Sequence, residues 1–328
     1  MKVLVTGGAG FIGSHYVRTM LAGGYRGYES ARVTVVDALT YAGDRANLPV
    51  AHPRLRFVEG DVCDLPLLRS LLPGYDAVVH FAAETHVDRS LGDAAAAFFR
   101  SNVLGTQTVL EAALACEVGR VVHVSTDEVY GSIAQGSWTE DRPLEPNSPY
   151  AASKAGSDLA ARSYWRTHGL DVRVTRCSNN YGPYQDVEKL VPLFTTRLLA
   201  GLPVPLYGDG SNEREWLHVD DHCRAIQLVL EGGRAGEIYN IGSGNARTNL
   251  ELAEQLARLC GADASLIRRV TDRKGHDQRY ALDDAKIRRD LGYAPAVAFD
   301  RGLADTVAWY RRHTERWPHP VPARAALG

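Results

Sequence analysis

The sequence predicts an α/β protein in which a doubly wound parallel sheet is followed by a smaller, mixed α/β C-terminal domain. In the first half of the chain, short β-branched runs alternate with longer segments of helical periodicity, which is the pattern of right-handed βαβ units. After Asn180 the pattern changes to segments punctuated by glycine and proline, such as Gly208-Asp-Gly210, which are typical of loops and short strands.

The individual elements follow from hydrophobic periodicity along the chain. Strands are predicted in the first half at Lys2–Val5, Arg32–Val36, Arg56–Glu59, Ala77–Phe81, Arg120–Ser125 and Asp171–Arg176. A helix that packs on the sheet is predicted between the fourth and fifth strands by Val103, Thr106, Leu110 and Leu114. Later in the chain, strands are expected at Glu215–Val219 and Glu237–Ile241, and helices at Leu250–Leu259 and Asp300–Arg312.

Composition and net charge limit the kinds of molecule that the protein is expected to bind. The chain has 328 residues, 45% of them hydrophobic and 23% charged, which is enough to bury one large core or two smaller ones. The formal net charge of -2 provides no basic field for a nucleic acid or a membrane surface. No run approaches the roughly 18 apolar residues of a membrane span, and the early turn at Gly7 leaves no room for a signal peptide.

Cysteines and histidines show no metal or disulfide pattern. The five cysteines are odd in number and lack a C-x-x-C pair, which predicts free thiols in a reducing cytoplasm. They are Cys63, Cys116, Cys177, Cys223 and Cys260. Four histidines without ligand-like spacing are expected to pack or to form hydrogen bonds, and no metal is predicted. They are His15, His80, His86 and His123.

A glycine-rich loop follows the first strand directly. Gly8-Ala-Gly10-Phe-Ile-Gly13 matches a dinucleotide-binding pattern that Gly7 extends, and a helix-like segment opens behind it. Glycines let the backbone approach a pyrophosphate, and a helix N-terminus offers unpaired N–H groups. Because glycine turns after strands are common, the loop is weak evidence alone. Together with the strand, the helix and an acidic residue it predicts a dinucleotide site.

That acidic residue is Asp37, at the end of the second strand, where a carboxylate can accept hydrogen bonds from adenosine ribose hydroxyls. It would repel a 2′-phosphate, so NAD is expected rather than NADP. Asp61 is a further candidate on the adenine side, although an isolated Asp there is also typical of a turn. We therefore expect residues 1–180 to form an NAD-binding domain of the Rossmann type, joined by a returning segment at about 213–242. Residues 181–328 are expected to form the second domain.

Tyr150-Ala-Ala-Ser-Lys154 follows Ser148-Pro149, a pair suited to the N-cap and first turn of a helix. Tyr150 and Lys154 would then lie one turn apart on one face. A nearby ammonium favours the phenolate, so we expect it to lower the pKa of Tyr150 and to make this residue a base. A surface tyrosine over a lysine stem is the other interpretation, and the independent signs of a dinucleotide fold favour the catalytic one.

Thr126, Asp127 and Glu128 come directly after a buried strand, at the carboxyl end where parallel sheets place their ligands. Two adjacent acids there are either caps of the next turn or a divided acid–base pair. In the second case, burial or a neighbouring charge keeps one carboxyl protonated as the acid while the other acts as the base.

These residues match a known group. Over nearly its whole length the chain resembles the extended short-chain dehydrogenase/reductases that act on nucleotide sugars. Its Thr126-Asp127-Glu128-Val-Tyr-Gly segment is similar to the signature of the dTDP-glucose 4,6-dehydratases. UDP-sugar 4-epimerases lack the Asp-Glu pair, and UDP-glucuronate decarboxylases typically carry only the glutamate. Further matching stretches are His80-Phe-Ala-Ala-Glu84-Thr-His86-Val-Asp88-Arg89-Ser90, Asn179-Asn-Tyr-Gly-Pro-Tyr-Gln185, Glu188-Lys-Leu190, Tyr207-Gly-Asp-Gly210, Arg214-Glu-Trp216 and Asp272-Arg-Lys-Gly-His-Asp277.

The resemblance implies an NAD-dependent dehydration of dTDP-glucose to dTDP-4-keto-6-deoxyglucose. The sugar is oxidised at C4, loses water across C5 and C6, and receives the hydride back at C6 while a proton is restored at C5. In this scheme Tyr150, assisted by Lys154, removes the C4 hydroxyl proton, and Thr126 orients the C4 oxygen. Glu128 is the implied base at C5 and Asp127 the implied acid at C6.

The resemblance also implies two sets of binding residues. For NAD they are Gly7, Gly10, Phe11, Ile12, Gly13, Asp37, Ala38, Leu39, Thr40, Asp61, Val62, Phe81, Ala82, Ala83, Glu84, Thr85, Ser101, Tyr150, Lys154 and Asn180. For the nucleotide sugar they are Thr126, Asn179, Lys189, Leu190, Pro205, Leu206, Tyr207, Arg214, Asn249, Lys274, Gly275, His276 and Asp277. It further implies a homodimer built from paired helices at Val103–Cys116 and Tyr150–His168.

Two other functions stay open. An epimerase or decarboxylase for nucleotide sugars would use the same cofactor and the same Tyr150–Lys154 pair. Asp127 discriminates, because only the elimination of a C6 hydroxyl needs an acid at that place. A non-catalytic binding protein could keep the fold without the chemistry, but its sequence should show a broken tyrosine, lysine or acid, and none is broken here.

Overall fold

A parallel sheet of seven strands dominates the computed structural model, which describes residues 1–92 and 94–317. The strands are β1 (Lys2–Thr6), β2 (Arg32–Asp37), β3 (Leu55–Glu59), β4 (Ala77–His80), β5 (Arg120–Thr126), β6 (Val172–Cys177), β7 (Asn179–Tyr181), β8 (Val204–Tyr207), β9 (Glu213–His218), β10 (Ile238–Ile241), β11 (Ala246–Thr248) and β12 (Ile267–Val270). The α-helices are α1 (Phe11–Leu21), α2 (Leu65–Leu71), α3 (Val87–Ser90), α4 (Ala95–Phe98), α5 (Gly105–Ala115), α6 (Pro149–His168), α7 (Leu190–Leu199), α8 (Val219–Gly232), α9 (Asn249–Cys260), α10 (Ala285–Leu291) and α11 (Phe299–Arg312).

The order of strands in the large sheet is β10-β6-β5-β4-β1-β2-β3, and all neighbours are parallel. The chain moves outward from β1 in one direction and then restarts at β4 on the other side. This reversal opens a crevice at the carboxyl ends of β1 and β4, the place where such sheets bind ligands. The predicted fold class is confirmed.

Side chains of the strands alternate between two buried layers. Val3 and Val5 of β1 pack with α1 and α8 on one face, whereas Leu4 packs with α2, α5 and α6 on the other. Because both faces are covered by helices, β1 and β4 in the middle of the sheet carry hydrophobic residues at consecutive positions, Val3–Val5 and Ala77–Val79. The packed layers hold the strand ends, and the loops that follow them, in fixed positions.

A second lobe has its own core. Two small sheets, β11-β9-β7 and β12-β8, lie with α7, α9 and α11, and the lobe buries Phe194, Trp216, Leu252 and Leu303. The chain crosses back between the two parts, because β10 pairs with β6 of the large sheet. The predicted returning segment at about 213–242 is thus split: α8 and β10 pack with the large sheet, whereas β9 pairs with β7 and β11. The division at residue 180 stays a prediction, and residues 318–328 of the second domain lie outside the described residues.

Most predicted boundaries agree with the structure. The six strands of the first half are confirmed as β1 to β6, with ends shifted by no more than one residue. Val219 is not a strand residue as predicted but begins α8, because the His218 side chain accepts the Asp220 N–H and caps the helix. The predicted helix with Val103 begins as a π-helical stretch, Phe99–Leu104, and becomes α-helical at Gly105. No helix within the described ranges is long and apolar enough to cross a membrane.

Candidate active site

A cavity of about 340 Å³ lies at the crevice between β1 and β4. Its walls come from the glycine loop after β1, the ends of β2, β4 and β5, the start of α6 and the segment 177–189. The carboxyl ends of parallel strands meet at one edge of the sheet, so loops distant in sequence converge there. The site therefore combines the glycine loop, the acid pair and the Tyr150–Lys154 pair.

Two glycines of the loop after β1 pack so closely against neighbouring backbone that a side chain would not fit. Gly7 has φ +66, and a Cβ there would lie 2.6 Å from the Ala82 nitrogen, so no larger residue fits without movement. A Cβ on Gly13 would overlap the Gly7 carbonyl oxygen. Helix α1 begins at Phe11, immediately behind the loop, and its first N–H groups face this end of the cavity. This cradle fits the pyrophosphate of a dinucleotide.

Asp37 holds the loop from the end of β2. Its Oδ2 accepts the Ala9 N–H at 2.8 Å and its Oδ1 accepts the Leu39 N–H at 2.9 Å. Burial raises the pKa of this carboxyl, and the two backbone bonds oppose that shift. Each oxygen keeps a second acceptor position, which fits a ribose hydroxyl. On the same side, Asp61 forms an ion pair with Arg100 at 2.7 Å.

The acid pair sits in a tight turn after β5. The Thr126 side chain caps this turn by accepting the Glu128 N–H at 3.3 Å, so the carboxyls of the two acids are not its caps. Asp127 is 2% exposed; its Oδ1 accepts from Thr126, and its Oδ2 has no hydrogen-bond partner in the described residues. Burial, followed by the Glu128 charge, raises the pKa of Asp127 well above its usual range. The arrangement favours a protonated Asp127.

Glu128 faces a basic environment from the second lobe. Burial raises the pKa of Glu128, while the charges of Arg273, Lys189 and Arg214 oppose the shift. Asp127 has fewer such opposing charges and its pKa is displaced further. The pair is therefore electrostatically divided, as an acid and a base must be.

Tyr150 and Lys154 lie one turn apart on α6, whose N-terminus is capped by Ser148 as the sequence predicts. Both are buried and line the cavity. The predicted lowering of the Tyr150 pKa is wrong for the protein without ligands: burial, followed by the Glu128 charge, raises it well above its usual value. The Lys154 Nζ donates to the Val124 carbonyl at 2.8 Å, and burial lowers the pKa of Lys154 to about 8.

The structure brings nearly all predicted cofactor residues together. Each of them except Leu39 lines the cavity. The Leu39 N–H donates a hydrogen bond to Asp37, and the Leu39 backbone has φ 48. Of the predicted substrate residues, Thr126, Asn179 and Lys189 line it. The others lie outside the cavity wall: Leu190, Pro205, Leu206, Tyr207, Arg214, Asn249, Lys274, Gly275, His276 and Asp277.

Several of these outer residues form a cluster of their own beside the acid pair. Arg214 is 4% exposed, which excludes a solvated surface role, and its guanidinium lies over the Tyr280 ring at 4.3 Å. Its Nη2 donates to the Asp277 carbonyl at 2.8 Å. The Tyr207 and His276 rings meet edge to face at 6.1 Å. The second lobe thus presents arginine and aromatic side chains next to Glu128.

Some cavity residues were not predicted as site residues. One of them, Glu188, helps to bridge the two lobes by accepting two bonds from Arg89, next to the predicted residue Lys189, which donates to the Thr85 carbonyl at 2.7 Å. The other unpredicted lining residues are Val36, Tyr41, Ala42, Gly43, Gly60, His86, Arg100, Val124, Ser125, Cys177, Ser178, Gln185 and Asp186. The sequence carried no chemical motif for most of them. Within residues 1–92 and 94–317, no group of three or more His, Cys, Asp or Glu side chains is suited to a metal ion.

Comparison with known proteins shows the family. The model of the family described as GDP-mannose 4,6 dehydratase matches residues 4–306. The dTDP-glucose 4,6-dehydratase of Streptomyces niveus is 60% identical over 97% of this chain and 95% of that protein. Among solved structures, DesIV, a dTDP-glucose 4,6-dehydratase from Streptomyces venezuelae with NAD and TYD bound, has a TM-score of 0.95 and 64% identity, covering 97% of this chain and 99% of DesIV.

A third relative extends the comparison beyond Streptomyces. The dTDP-glucose 4,6-dehydratase of Bacillus anthracis, solved in complex with NAD, is 46% identical with a TM-score of 0.89, and the match covers 97% of this chain and 98% of that one. The shared fold, the long family match and the high identity over whole chains agree. The chain belongs to the GDP-mannose 4,6 dehydratase family.

Proposed function

We propose that this protein is an NAD-dependent dTDP-glucose 4,6-dehydratase. The observation that carries the proposal is the Asp127–Glu128 pair, with Asp127 buried, Glu128 half-buried and the pKa of Asp127 raised further, in the same cavity as Tyr150 and Lys154. Relatives of 60% and 64% identity with this name support the substrate assignment. The product is dTDP-4-keto-6-deoxyglucose, and the reaction has no net redox change.

The described residues fit NAD. Gly7 and Gly13 line the cavity where a Cβ would overlap neighbouring backbone, so the tight loop behind β1 needs glycine, and Asp37 keeps acceptor positions for a ribose while disfavouring a 2′-phosphate. When bound, NAD would supply the hydride acceptor for sugar C4 and the hydride that returns to C6, and a proton is restored at C5. The predicted cofactor residues other than Leu39 are proposed to hold it.

At C4 the protein removes a proton. Tyr150 is proposed to take it from the C4 hydroxyl, and Thr126 to orient the C4 oxygen. The raised pKa of Tyr150 makes the phenolate costly in the empty cavity, so positive charge near the ring must stabilise it during the reaction. The Lys154 ammonium, one helical turn away, is the nearest basic side chain of α6 on this face.

At C5 and C6 the acid pair performs the elimination. The C4 carbonyl acidifies the C5 proton, which Glu128 removes, while Asp127 donates its proton to the departing C6 hydroxyl. Burial raises the pKa of both carboxyls, but that of Asp127 is raised further, so Asp127 is the one favoured in the protonated form that an acid needs. Glu128, surrounded by basic residues, is the better candidate for the ionised base.

The nucleotide is proposed to bind across the second lobe. Lys189 and Asn179 line the cavity, and the cluster with Arg214, Tyr207 and His276 lies beside Glu128. Arginine suits a diphosphate, and aromatic rings suit a base. This assigns cofactor binding to residues 1–180 with the returning α8 and β10, and nucleotide-sugar binding to most of residues 181–328.

A cytoplasmic homodimer completes the proposal. Phe99 and Leu104, next to α5, and Leu159 on α6 are large apolar side chains with 46%, 49% and 58% exposure. Exposed apolar side chains on neighbouring helices favour a second copy of the chain as the partner. Size-exclusion chromatography with light scattering should give twice the monomer mass of 35.8 kDa, and a monomer would exclude this assembly.

The function is tested with dTDP-glucose deuterated at C4, followed by mass spectrometry and NMR of the product. Loss of water with deuterium at C6 is expected. An unchanged mass with a C4 epimer would identify an epimerase, and reaction of UDP-sugars alone would point to the decarboxylase or epimerase branch. Bound NAD without turnover of any nucleotide sugar would identify a non-catalytic protein.

A matched pair of variants separates the steps. Asp127→Asn should leave C4 oxidation largely intact and slow dehydration by about a hundredfold, the scale of losing a general acid. Tyr150→Phe should instead slow C4 oxidation itself. If Asp127→Asn dehydrates at the parent rate, its role as acid is wrong.

A further inference from the structure

A chain of buried charged and polar groups lies behind the cavity, on the same face of α6 as the reactive pair. Tyr150, Lys154 and Asp158 follow one another at intervals of one helical turn. Asp158 is fully buried and lines no part of the cavity. A carboxylate placed in a core without a substrate contact needs a physical reason, because burying a charge is costly.

The contacts of Asp158 tie α6 to the two strands beneath it. Its Oδ2 accepts from Arg176 Nε of β6 at 2.8 Å, and its Oδ1 lies 3.3 Å from His123 Nε2 of β5. Although burial opposes ionisation, the Arg176 guanidinium holds the pKa of Asp158 at about 2. Asp158 is therefore a permanent negative charge at neutral pH.

The Lys154 side chain also contacts strand β5. Its Nζ donates to the Val124 carbonyl of β5, one residue beyond His123. Burial lowers the pKa of Lys154 to about 8, and the Asp158 charge is the largest influence in the opposite direction. The titratable groups around the ammonium from each packed element are Tyr150 and Asp158 of α6, His80 of β4, His123 of β5, and Arg176 and Cys177 of β6.

Among these groups only Asp158 carries a negative charge at neutral pH. Burial lowers the pKa of His123 and raises that of Cys177, so both side chains are neutral. Burial also raises the pKa of Tyr150. Arg176 carries a positive charge that pairs with Asp158 at 2.8 Å.

We propose that Asp158 is a positioning residue, the buried counter-ion that keeps the Lys154 side chain in its ammonium form beside Tyr150. The hydrogen bond from Arg176 fixes the Asp158 carboxylate one helical turn from Lys154, and α6 presents the ammonium at the cavity wall. The catalytic consequence rests on the proposed function, but the charge state of Lys154 can be measured without it.

The test is the pH dependence of Lys154 acetylation by trace acetic anhydride, read by peptide mass spectrometry, because only the free amine reacts. The parent should show a midpoint near pH 8. Asp158→Asn should move that midpoint down by about one unit or more, the usual effect of losing an adjacent opposite charge. Asp171→Asn is the matched control, since Asp171 pairs with Arg173 at the far end of β6 and should leave the midpoint unchanged.

Asp158→Asn leaves Arg176 without its partner and can unfold the protein. The double variant Asp158→Asn with Arg176→Gln removes both charges and keeps a pair of hydrogen-bonding amides, so it is measured beside the single variant. A Lys154 midpoint equal to that of the parent in a folded Asp158 variant overturns the proposal.

Measuring the turnover of dTDP-glucose distinguishes a failure of this inference from a failure of the proposed function. With dTDP-glucose as substrate, the alkaline limb of the pH–rate profile of Asp158→Asn should shift to lower pH by the same amount as its acetylation midpoint. A purely structural loss of activity would not produce this shift. A parent protein that turns over no dTDP-glucose refutes the proposed function, while the acetylation midpoints still decide the role of Asp158.

Discussion

Replacing Gly7 by alanine should damage the cofactor site through the backbone alone. The residue has φ +66, and its new Cβ would lie 2.6 Å from the Ala82 nitrogen and 2.7 Å from the Ala82 Cα. The left-handed backbone costs an L-residue about 1–2 kcal/mol. The overlap adds about 1–3 kcal/mol, because Ala82 follows a buried strand and can move away only by shifting the cavity wall.

A matched glycine separates these two contributions. Gly27 has φ +84 and nothing within 4 Å of its Cβ position, so Gly27→Ala carries the backbone strain without the overlap. Both variants should unfold more easily than the parent, and Gly7→Ala by the larger amount. Isothermal titration should show at least a tenfold loss of NAD affinity, about 1.4 kcal/mol, in Gly7→Ala and no change in Gly27→Ala. The reasoning is refuted if Gly7→Ala binds NAD as tightly as the parent.

Three further predictions concern stability. Ser148→Ala removes the cap of α6 and should lower the free energy of unfolding, measured by chemical denaturation, by about 1 kcal/mol. Ser148→Thr should keep most of the stability that the cap contributes, and equal losses in the two variants would argue against capping. Leu252→Ala, in the core of the second lobe, should lower the free energy of unfolding by about 2–5 kcal/mol. A loss smaller than that of Ser148→Ala would show that neighbouring side chains move in to fill the cavity. Asp220 has its pKa lowered by a hydrogen bond from His15, so its stabilisation is present above the unfolded pKa and is lost as the pH falls through the native one. Asp220→Asn should therefore destabilise the protein at neutral pH, and a difference in denaturation midpoint that does not shrink as the pH falls through the native pKa would contradict this.

The sequence alone determined the features that depend on neighbours along the chain. Strands β1 to β6 follow from runs of β-branched residues, and the glycine loop is recognisable because a strand and a helix flank it. The one-turn spacing of Tyr150 and Lys154 and the Ser148 cap follow from helix geometry. Each of these is a local pattern, and tertiary packing did not override it.

Only the tertiary structure decided what depends on burial and on distant partners. Nothing local shows that β10 returns to the sheet beside β6, that Arg214 is buried under Tyr280, or that Arg89 and Glu188 join the lobes. The rise in the pKa of Tyr150, opposite to the prediction, has the same origin. A spacing of four residues places an ammonium near a phenol, but the surrounding core sets the cost of the charge, and that core is assembled from β5, β6 and α6.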